Sequence, residues 1–149
     1  MPRFFKRLAE GVFDLEDLKF RTNELADFVN HAANEYGFDS RKVIAVGYSN
    51  GANIAASILL LRPTTLLGAE LFRAMLPFVP ERLPDLSGKH VFLSAGELDQ
   101  IVPRTQVEKL KEIFENSGAK VILSFERSDH SLIQKEIEKV RKYVQEHFV

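Results

Sequence analysis

The stretch Lys42-Val-Ile-Ala-Val-Gly-Tyr-Ser-Asn-Gly-Ala-Asn-Ile-Ala-Ala56 decides the fold. Its first half, Val43–Val46, is a short apolar run rich in β-branched residues, which predicts a strand buried on both faces of a parallel sheet. The segment from Ala52 to Leu61 is almost entirely apolar and predicts a buried helix. The stretch therefore indicates a strand that runs directly into a helix, the repeating unit of an α/β fold.

Between the predicted strand and helix lies a G-x-S-x-G pentapeptide, Gly47 to Gly51, with Ser49 at its centre. A sharp strand-to-helix turn strains the residue at its apex and exposes that side chain, while glycines without Cβ let strand and helix approach closely. Ser49 is then a candidate nucleophile, and the backbone N–H of Asn50 a candidate oxyanion donor at the positive end of the helix. The alternative is a plain glycine-rich turn with a capping serine.

Composition limits the classes of function. A chain of 149 residues is expected to form one domain, residues 1–149, with a sizeable core. A formal net charge of −1 gives no electrostatic case for binding nucleic acid, and no apolar run reaches the ~20 residues of a membrane span. The absence of cysteine excludes thiolate metal sites and fits a reducing, cytoplasmic location. We expect neither a metal nor a cofactor.

The N-terminal part predicts a short amphipathic turn over residues 4–8, ending near Gly11, and then a long helix. Asp14 is suited to cap the start of that helix, and Gly37 to end it in a left-handed conformation. Three- and four-residue spacing predicts that one stripe of the helix faces the core. The residues of the stripe are Leu18, Thr22, Leu25, Val29, Ala32 and Tyr36.

After the strand-to-helix turn at Ser49 and its helix, apolar runs predict three further strands, with amphipathic helices after the second and third. The strands are Leu66–Phe72, Lys89–Ala95 and Lys120–Phe125, and the helices are Arg104–Ser117 and a final helix with Ile133, Ile137, Val140, Val144 and Phe148 on one face. Strands separated by helices predict an α/β fold with a mostly parallel sheet of about four strands and flanking helices. A proline-rich, apolar loop from Met75 to Gly88 either lines a substrate pocket or packs on the core.

Three residues with complementary chemistry follow predicted strands: Ser49 after the first, Asp99 after the third and His130 after the fourth. Ligands of parallel sheets bind beyond the carboxyl ends of the strands, so these side chains are expected to meet there. A histidine activates a serine hydroxyl by accepting its proton, and a carboxylate orients the histidine. The order Ser, Asp, His is that of α/β-hydrolases. Taken singly, each residue also has an ordinary structural explanation: Asp99 as a turn-forming residue, and His130 as a helix cap or a surface residue.

These motifs resemble the carboxylesterase/phospholipase group of α/β-hydrolases, close to dienelactone hydrolase-like esterases. The matching segments are Gly47-Tyr-Ser-Asn-Gly-Ala-Asn-Ile-Ala55, Gly96-x-x-Asp99-x-x-Val-Pro103, the loop at His130, Met1-Pro-Arg-Phe-Phe5 and Arg73-Ala-Met-Leu-Pro77. The resemblance implies a serine hydrolase that cleaves small-molecule carboxylic esters or thioesters through an acyl-enzyme. Ser49 would be the nucleophile, His130 the base and acid, and Asp99 the orienting acid. The candidate substrate pocket comprises Tyr48, Met75, Leu76, Ile101 and Leu132.

The resemblance also defines two differences from the family pattern. The chain matches the C-terminal part of the α/β-hydrolase fold, and four strands of that fold, with the loop giving a second oxyanion N–H, precede the matching part. Asp129 stands where these esterases usually have glycine before the catalytic histidine, and its carboxylate is expected either to bend the loop or to compete with Asp99 for His130. The alternative function is therefore a catalytically impaired module, which forms homo-oligomers through an unpaired strand edge at Val43–Val46.

Overall fold

The computed structural model describes residues 3–149, so the Met1 and Pro2 of the Met1–Phe5 motif lie outside the described residues. Its elements, in chain order, are β1 (Arg7–Ala9), β2 (Val12–Phe13), α1 (Leu15–Tyr36), a 3₁₀ turn (Ser40–Lys42), β3 (Ile44–Tyr48), α2 (Asn50–Leu61), β4 (Gly68–Phe72), β5 (His90–Gly96), α3 (Arg104–Asn116), β6 (Lys120–Glu126) and α4 (Gln134–His147).

Strands β3 to β6 form one sheet in the order β3-β4-β5-β6, and every neighbouring pair is parallel. This confirms the predicted α/β class and a parallel sheet of four strands. The expectation that the strand at Val43–Val46 is buried on both faces was wrong, because within residues 3–149 β3 is an edge strand and Val46 is 64% exposed. The strand expected from Leu66 begins two residues later, although Leu67 N already donates to Val43 O at 2.7 Å. Because all four strands run the same way, their carboxyl ends lie along one edge of the sheet, where the sequence placed the candidate site.

Helices cover both faces of the sheet. On one face, α2 and α3 pack on the sheet through a buried cluster that includes Ala56, Leu71, Val91 and Leu110. Helix α1 packs on the outer side of α2, and α4 covers the opposite face, where Val140 contributes to a second cluster. Helix α2 is therefore enclosed between α1 and the sheet, which explains why its sequence is apolar on all sides.

The structure confirms the predicted ends of α1. The Asp14 side chain accepts a hydrogen bond from Asp17 N, and Gly37 has the left-handed φ of 70°. The inward stripe is correct at Leu18 and Thr22 but wrong at Tyr36, which is 78% exposed in the last turn. The predicted inward face of α4 is likewise wrong at one residue, Ile137, which is exposed.

The N-terminal segment is a β-hairpin, so the prediction of an amphipathic turn was wrong. Strands β1 and β2 pair antiparallel, and Gly11, at φ 71°, supplies the left-handed residue that the tight connection needs. Phe5 is buried and its ring contacts that of Phe13 edge-to-face, with 5.1 Å between ring centroids. The segment therefore docks through Phe5, whereas Phe4 and Leu8 of the predicted helical face are exposed.

Candidate active site

The turn from β3 into α2 has the backbone strain that its sequence predicted. Ser49 has φ 53° and ψ −112°, a conformation that costs a non-glycine residue about 1–3 kcal/mol. A Cβ on Gly47 would lie 2.6 Å from Gly51 O, so only glycine fits there. Gly51 differs from the expectation, because a Cβ there would make only an ordinary 3.5 Å contact with the Phe4 ring. The close approach of strand and helix therefore requires glycine at Gly47 alone.

The ends of three strands bring Ser49, Asp99 and His130 together. His130 Nε2 lies 2.9 Å from Ser49 Oγ, and His130 Nδ1 lies 2.8 Å from Asp99 Oδ2. The Asp99 side chain is only 1% exposed, and its other oxygen accepts hydrogen bonds from Ile101 N and Val102 N. Asp99 is thus fixed by its own turn, in an orientation that leaves one oxygen for the histidine.

Asp129 does not compete with Asp99 for the histidine. Its Oδ1 accepts a hydrogen bond from Ser131 N at 2.7 Å, and this bond is the main cause that lowers the pKa of the Asp129 carboxyl. The backbone around Asp129 lies against β5, since a Cβ on Gly96 would be 2.3 Å from Asp129 O. Gly96 therefore matters for the loop that carries His130, a role that the sequence motif containing Gly96 and Asp99 did not reveal.

A cavity of about 240 Å³ opens beside Ser49 and His130. Tyr48, Met75 and Ile101 line it as expected, together with Asn50, the first residue of α2. Four residues of the N-terminal hairpin region also line the cavity and were missed, because nothing in their sequence spacing pointed to a site. They are Arg3, Arg7, Gly11 and Phe13.

Two residues predicted for this pocket lie elsewhere. Leu76 packs against the core between the sheet and α2/α3. Leu132 lines a separate groove between β3 and α4, because the chain turns away from the cavity after His130. Behind the His130 loop lies a fully buried ion pair of Arg73 and Glu136. The sequence pattern included Arg73 only as part of a matching segment, with no role, and did not point to Glu136 at all.

Two features are absent from residues 3–149. No group of three or more His, Asp or Glu side chains is arranged to hold a metal ion. In the same part of the chain, no helix combines the length and apolarity needed to cross a membrane.

Comparison with known proteins places this geometry in a family. Residues 11–148 match the family model described as Phospholipase/Carboxylesterase. The Bacillus subtilis (strain 168) protein "Putative hydrolase MhqD" is 46% identical over 149 residues, which cover all of this chain and 74% of that protein.

Solved structures agree with the family match. The Bacillus cereus carboxylesterase is 47% identical, with a TM-score of 0.97 over 99% of this chain and 70% of that chain. The structure of YahD with malic acid is 35% identical, with a TM-score of 0.91 over 97% of this chain and 73% of that chain. The chain belongs to the phospholipase/carboxylesterase family of α/β-hydrolases, whose members are carboxylic ester hydrolases.

Proposed function

We propose that this chain is a serine esterase that hydrolyses carboxylic esters through an acyl-enzyme intermediate, with Ser49, His130 and Asp99 as its catalytic triad. The observation that carries the proposal is the pair of contacts made by one imidazole, 2.9 Å to Ser49 Oγ and 2.8 Å to Asp99 Oδ2. A nucleophile in contact with a base that a buried carboxylate orients is the arrangement that acyl transfer needs.

The proposed reaction has two halves. Ser49 Oγ attacks the ester carbonyl carbon as its proton moves to His130 Nε2, while Asp99 holds the proton on Nδ1 and stabilises the imidazolium. The oxyanion of the tetrahedral intermediate accepts a hydrogen bond from Asn50 N–H at the positive end of α2. His130 then protonates the leaving alcohol, and the acyl group stays on Ser49. Water attacks this ester with His130 again as base, which releases the acid and restores the serine.

The cavity suggests the class of ester. Its volume of about 240 Å³ lies below the usual range for pockets that hold drug-sized ligands, which favours a short acyl group. Met75, Ile101 and Phe13 offer apolar surface, whereas Arg3 and Arg7 are exposed and bring positive charge to its open side. The related structure of YahD was solved with malic acid, a dicarboxylic acid. We therefore propose short-chain esters that carry a carboxylate.

Intact mass after treatment with a fluorophosphonate probe tests the proposal, because the probe phosphonylates only activated serines. We expect one adduct on the wild type and none on Ser49→Ala. Ser87→Ala is the matched control: Ser87 is an exposed serine just before β5, at the amino ends of the strands and not at the carboxyl ends where the cavity lies, and this variant should be labelled like the wild type. A folded wild type without an adduct would refute esterase activity for this chain.

We also propose a second function, in which copies of this chain associate with one another; the free edge of β3 supports it. Within residues 3–149, β3 pairs only with β4, and Val46 on the open edge is 64% exposed. Apolar grooves flank this edge on both faces of the sheet. We propose that two copies pair through this edge, which Val46→Lys would prevent. Light scattering that gives the same monomer mass for wild type and variant at high concentration would refute it.

The cytoplasmic location stays a prediction. Fractionation of cells that express the tagged chain checks it, with recovery in the cytosolic fraction as the expected result.

A further inference from the structure

Arg73 directly follows β4, at the same edge of the sheet as Ser49. Its backbone has the left-handed φ of 56°, and its side chain is completely buried. The backbone on either side joins neighbouring strands: Phe72 O accepts a hydrogen bond from Ser49 N, and Arg73 N donates to Ser94 O, both at 2.8 Å. The side chain therefore starts from a fixed point beside the candidate nucleophile and extends behind the His130 loop.

The guanidinium holds the backbone on both sides of His130. Arg73 Nε donates to the carbonyl of the residue before His130 at 3.1 Å, and Nη2 donates to the carbonyl of the residue after it at 2.6 Å. The carbonyl of His130 itself accepts from Tyr48 OH at 2.9 Å, and that of Ser128 from Leu98 N at 3.0 Å. Four consecutive carbonyls, 128–131, are thus each bound from outside the loop, two of them by one side chain.

Glu136 holds the guanidinium in turn. Its two carboxylate oxygens accept from Arg73 Nη1 and Nη2 at 2.7 and 2.8 Å, and both side chains are fully buried. The same carboxylate accepts from Ile133 N at 2.7 Å and from Ser94 Oγ. The pair therefore joins the end of β5, the start of α4 and the loop between β6 and α4 into one hydrogen-bonded unit.

Stability alone does not explain this arrangement. A buried ion pair is on average no more stabilising than apolar side chains of similar volume, because both charges lose their hydration. What apolar side chains cannot do is donate hydrogen bonds to the two carbonyls that flank His130. The guanidinium has five N–H donors in a planar fork, and lysine has no equivalent of this fork.

We propose that Arg73, held by Glu136, is a positioning residue: it fixes the His130 loop so that the imidazole stands between Ser49 and Asp99. This inference rests on the proposed esterase function. It predicts that loss of the guanidinium displaces the imidazole, and that displacement by about 1 Å costs roughly 100-fold in rate.

Two variants separate positioning from stability. The double variant Arg73→Met, Glu136→Leu removes both charges and keeps apolar volume, while Arg73→Lys keeps the charge but loses the fork. Lys139→Met is the matched control, because it removes another ion pair of α4, with Glu126, whose two side chains hydrogen-bond to Ser124 of β6 and not to the carbonyls of the loop. We would measure the fluorophosphonate labelling rate against pH, the thermal midpoint, and the NMR signal of the His130 Nδ1 proton, assigned by its loss in His130→Gln.

We expect labelling 10- to 100-fold slower in both Arg73 variants, with a changed pH profile and a shifted or lost Nδ1 proton signal, and near-wild-type values in Lys139→Met. A wild-type rate and an unchanged signal in folded Arg73→Lys would overturn the proposal, even with a lower thermal midpoint. If the wild type itself is not labelled, the esterase proposal fails. The NMR signal then decides separately whether Arg73 positions His130: its loss in Arg73→Lys supports the role, and its persistence overturns it.

Discussion

Replacing Glu70 with glutamine is predicted to remove a pH-dependent loss of stability. Glu70 lies in the middle of β4, between Val46 and Phe92 of the adjacent strands, and its side chain is fully buried. Neither carboxyl oxygen has a hydrogen-bond partner among residues 3–149. Burial without a partner disfavours the charged form and raises the pKa of Glu70 from 4.5 to about 8.

The size of the effect follows from linkage. The unfolded chain loses this proton near pH 4.5, whereas the folded chain keeps it until about pH 8. Glu70 therefore does not reduce the free energy of unfolding below pH 4.5, the pKa of its carboxyl in the unfolded chain. As pH rises from there towards 8, the folded chain becomes progressively less stable. One pKa unit corresponds to 1.36 kcal/mol, so the loss at pH 7 is about 3 kcal/mol. That is a large share of the 5–15 kcal/mol by which a typical protein is stable.

Urea unfolding at pH 5, 6, 7 and 8 measures the effect. Because a buried amide also lacks partners, the quantity to compare is the change of unfolding free energy with pH and not its value at one pH. The difference between Glu70→Gln and wild type should move in favour of the variant by about 1.4 kcal/mol per pH unit between pH 5 and 7. Burial lowers the pKa of His90, but this contribution is common to both chains and cancels in the difference.

Glu112→Gln is the control, since it makes the same substitution at an exposed position on α3. Parallel curves for wild type and Glu70→Gln from pH 5 to 8 would refute the reasoning. Such a result would mean that the Glu70 carboxyl is hydrated or paired when folded.

Three further predictions concern the site. Gly47→Ala should unfold at lower denaturant and lose labelling, because its Cβ would lie 2.6 Å from backbone, whereas Gly51→Ala should stay within about 1 kcal/mol of wild type by the same urea assay. Gly96→Ala should slow labelling at least 10-fold, because its Cβ would lie 2.3 Å from Asp129 O and displace the loop; a wild-type rate would contradict the contact. Arg7→Gln should raise the KM for a hemisuccinate ester and leave that for a neutral ester of equal length unchanged; equal KM changes would argue against a carboxylate site.

The sequence predicted those parts of the site that depend on local pattern and topology. Ser49, Asp99 and His130 could be placed together because each follows an apolar strand, and parallel strands share one carboxyl edge. The capping residues of α1 were also predictable, because a cap is an interaction between residues close together in the sequence. No spacing links Arg73 to Glu136, which lie 63 positions apart and meet only in the folded chain.

The errors arose where periodicity fitted two structures. Phe4, Phe5 and Leu8 have helical spacing, but Gly11 in a left-handed conformation closes a hairpin, and of the three only Phe5 is buried. Tyr36 continues the stripe of α1 beyond the end of the core beneath it, so its periodicity had nothing left to contact. In both cases the pattern identified apolar residues correctly, but the extent of the surrounding core decided what they contact.

Because the hairpin forms one side of the cavity, the cavity wall and the candidate catalytic residues come from different segments of the chain. The candidate catalytic side chains stand on strand ends of the sheet, whereas Arg7, Gly11 and Phe13 reach the cavity from a short segment that precedes α1. Substitutions at exposed positions of this segment, such as Arg7, can therefore alter the cavity wall without altering any strand of the four-stranded sheet. Mutant libraries confined to such positions would vary the wall of the cavity, and with it the substrate preference, while Ser49, Asp99 and His130 stay unchanged.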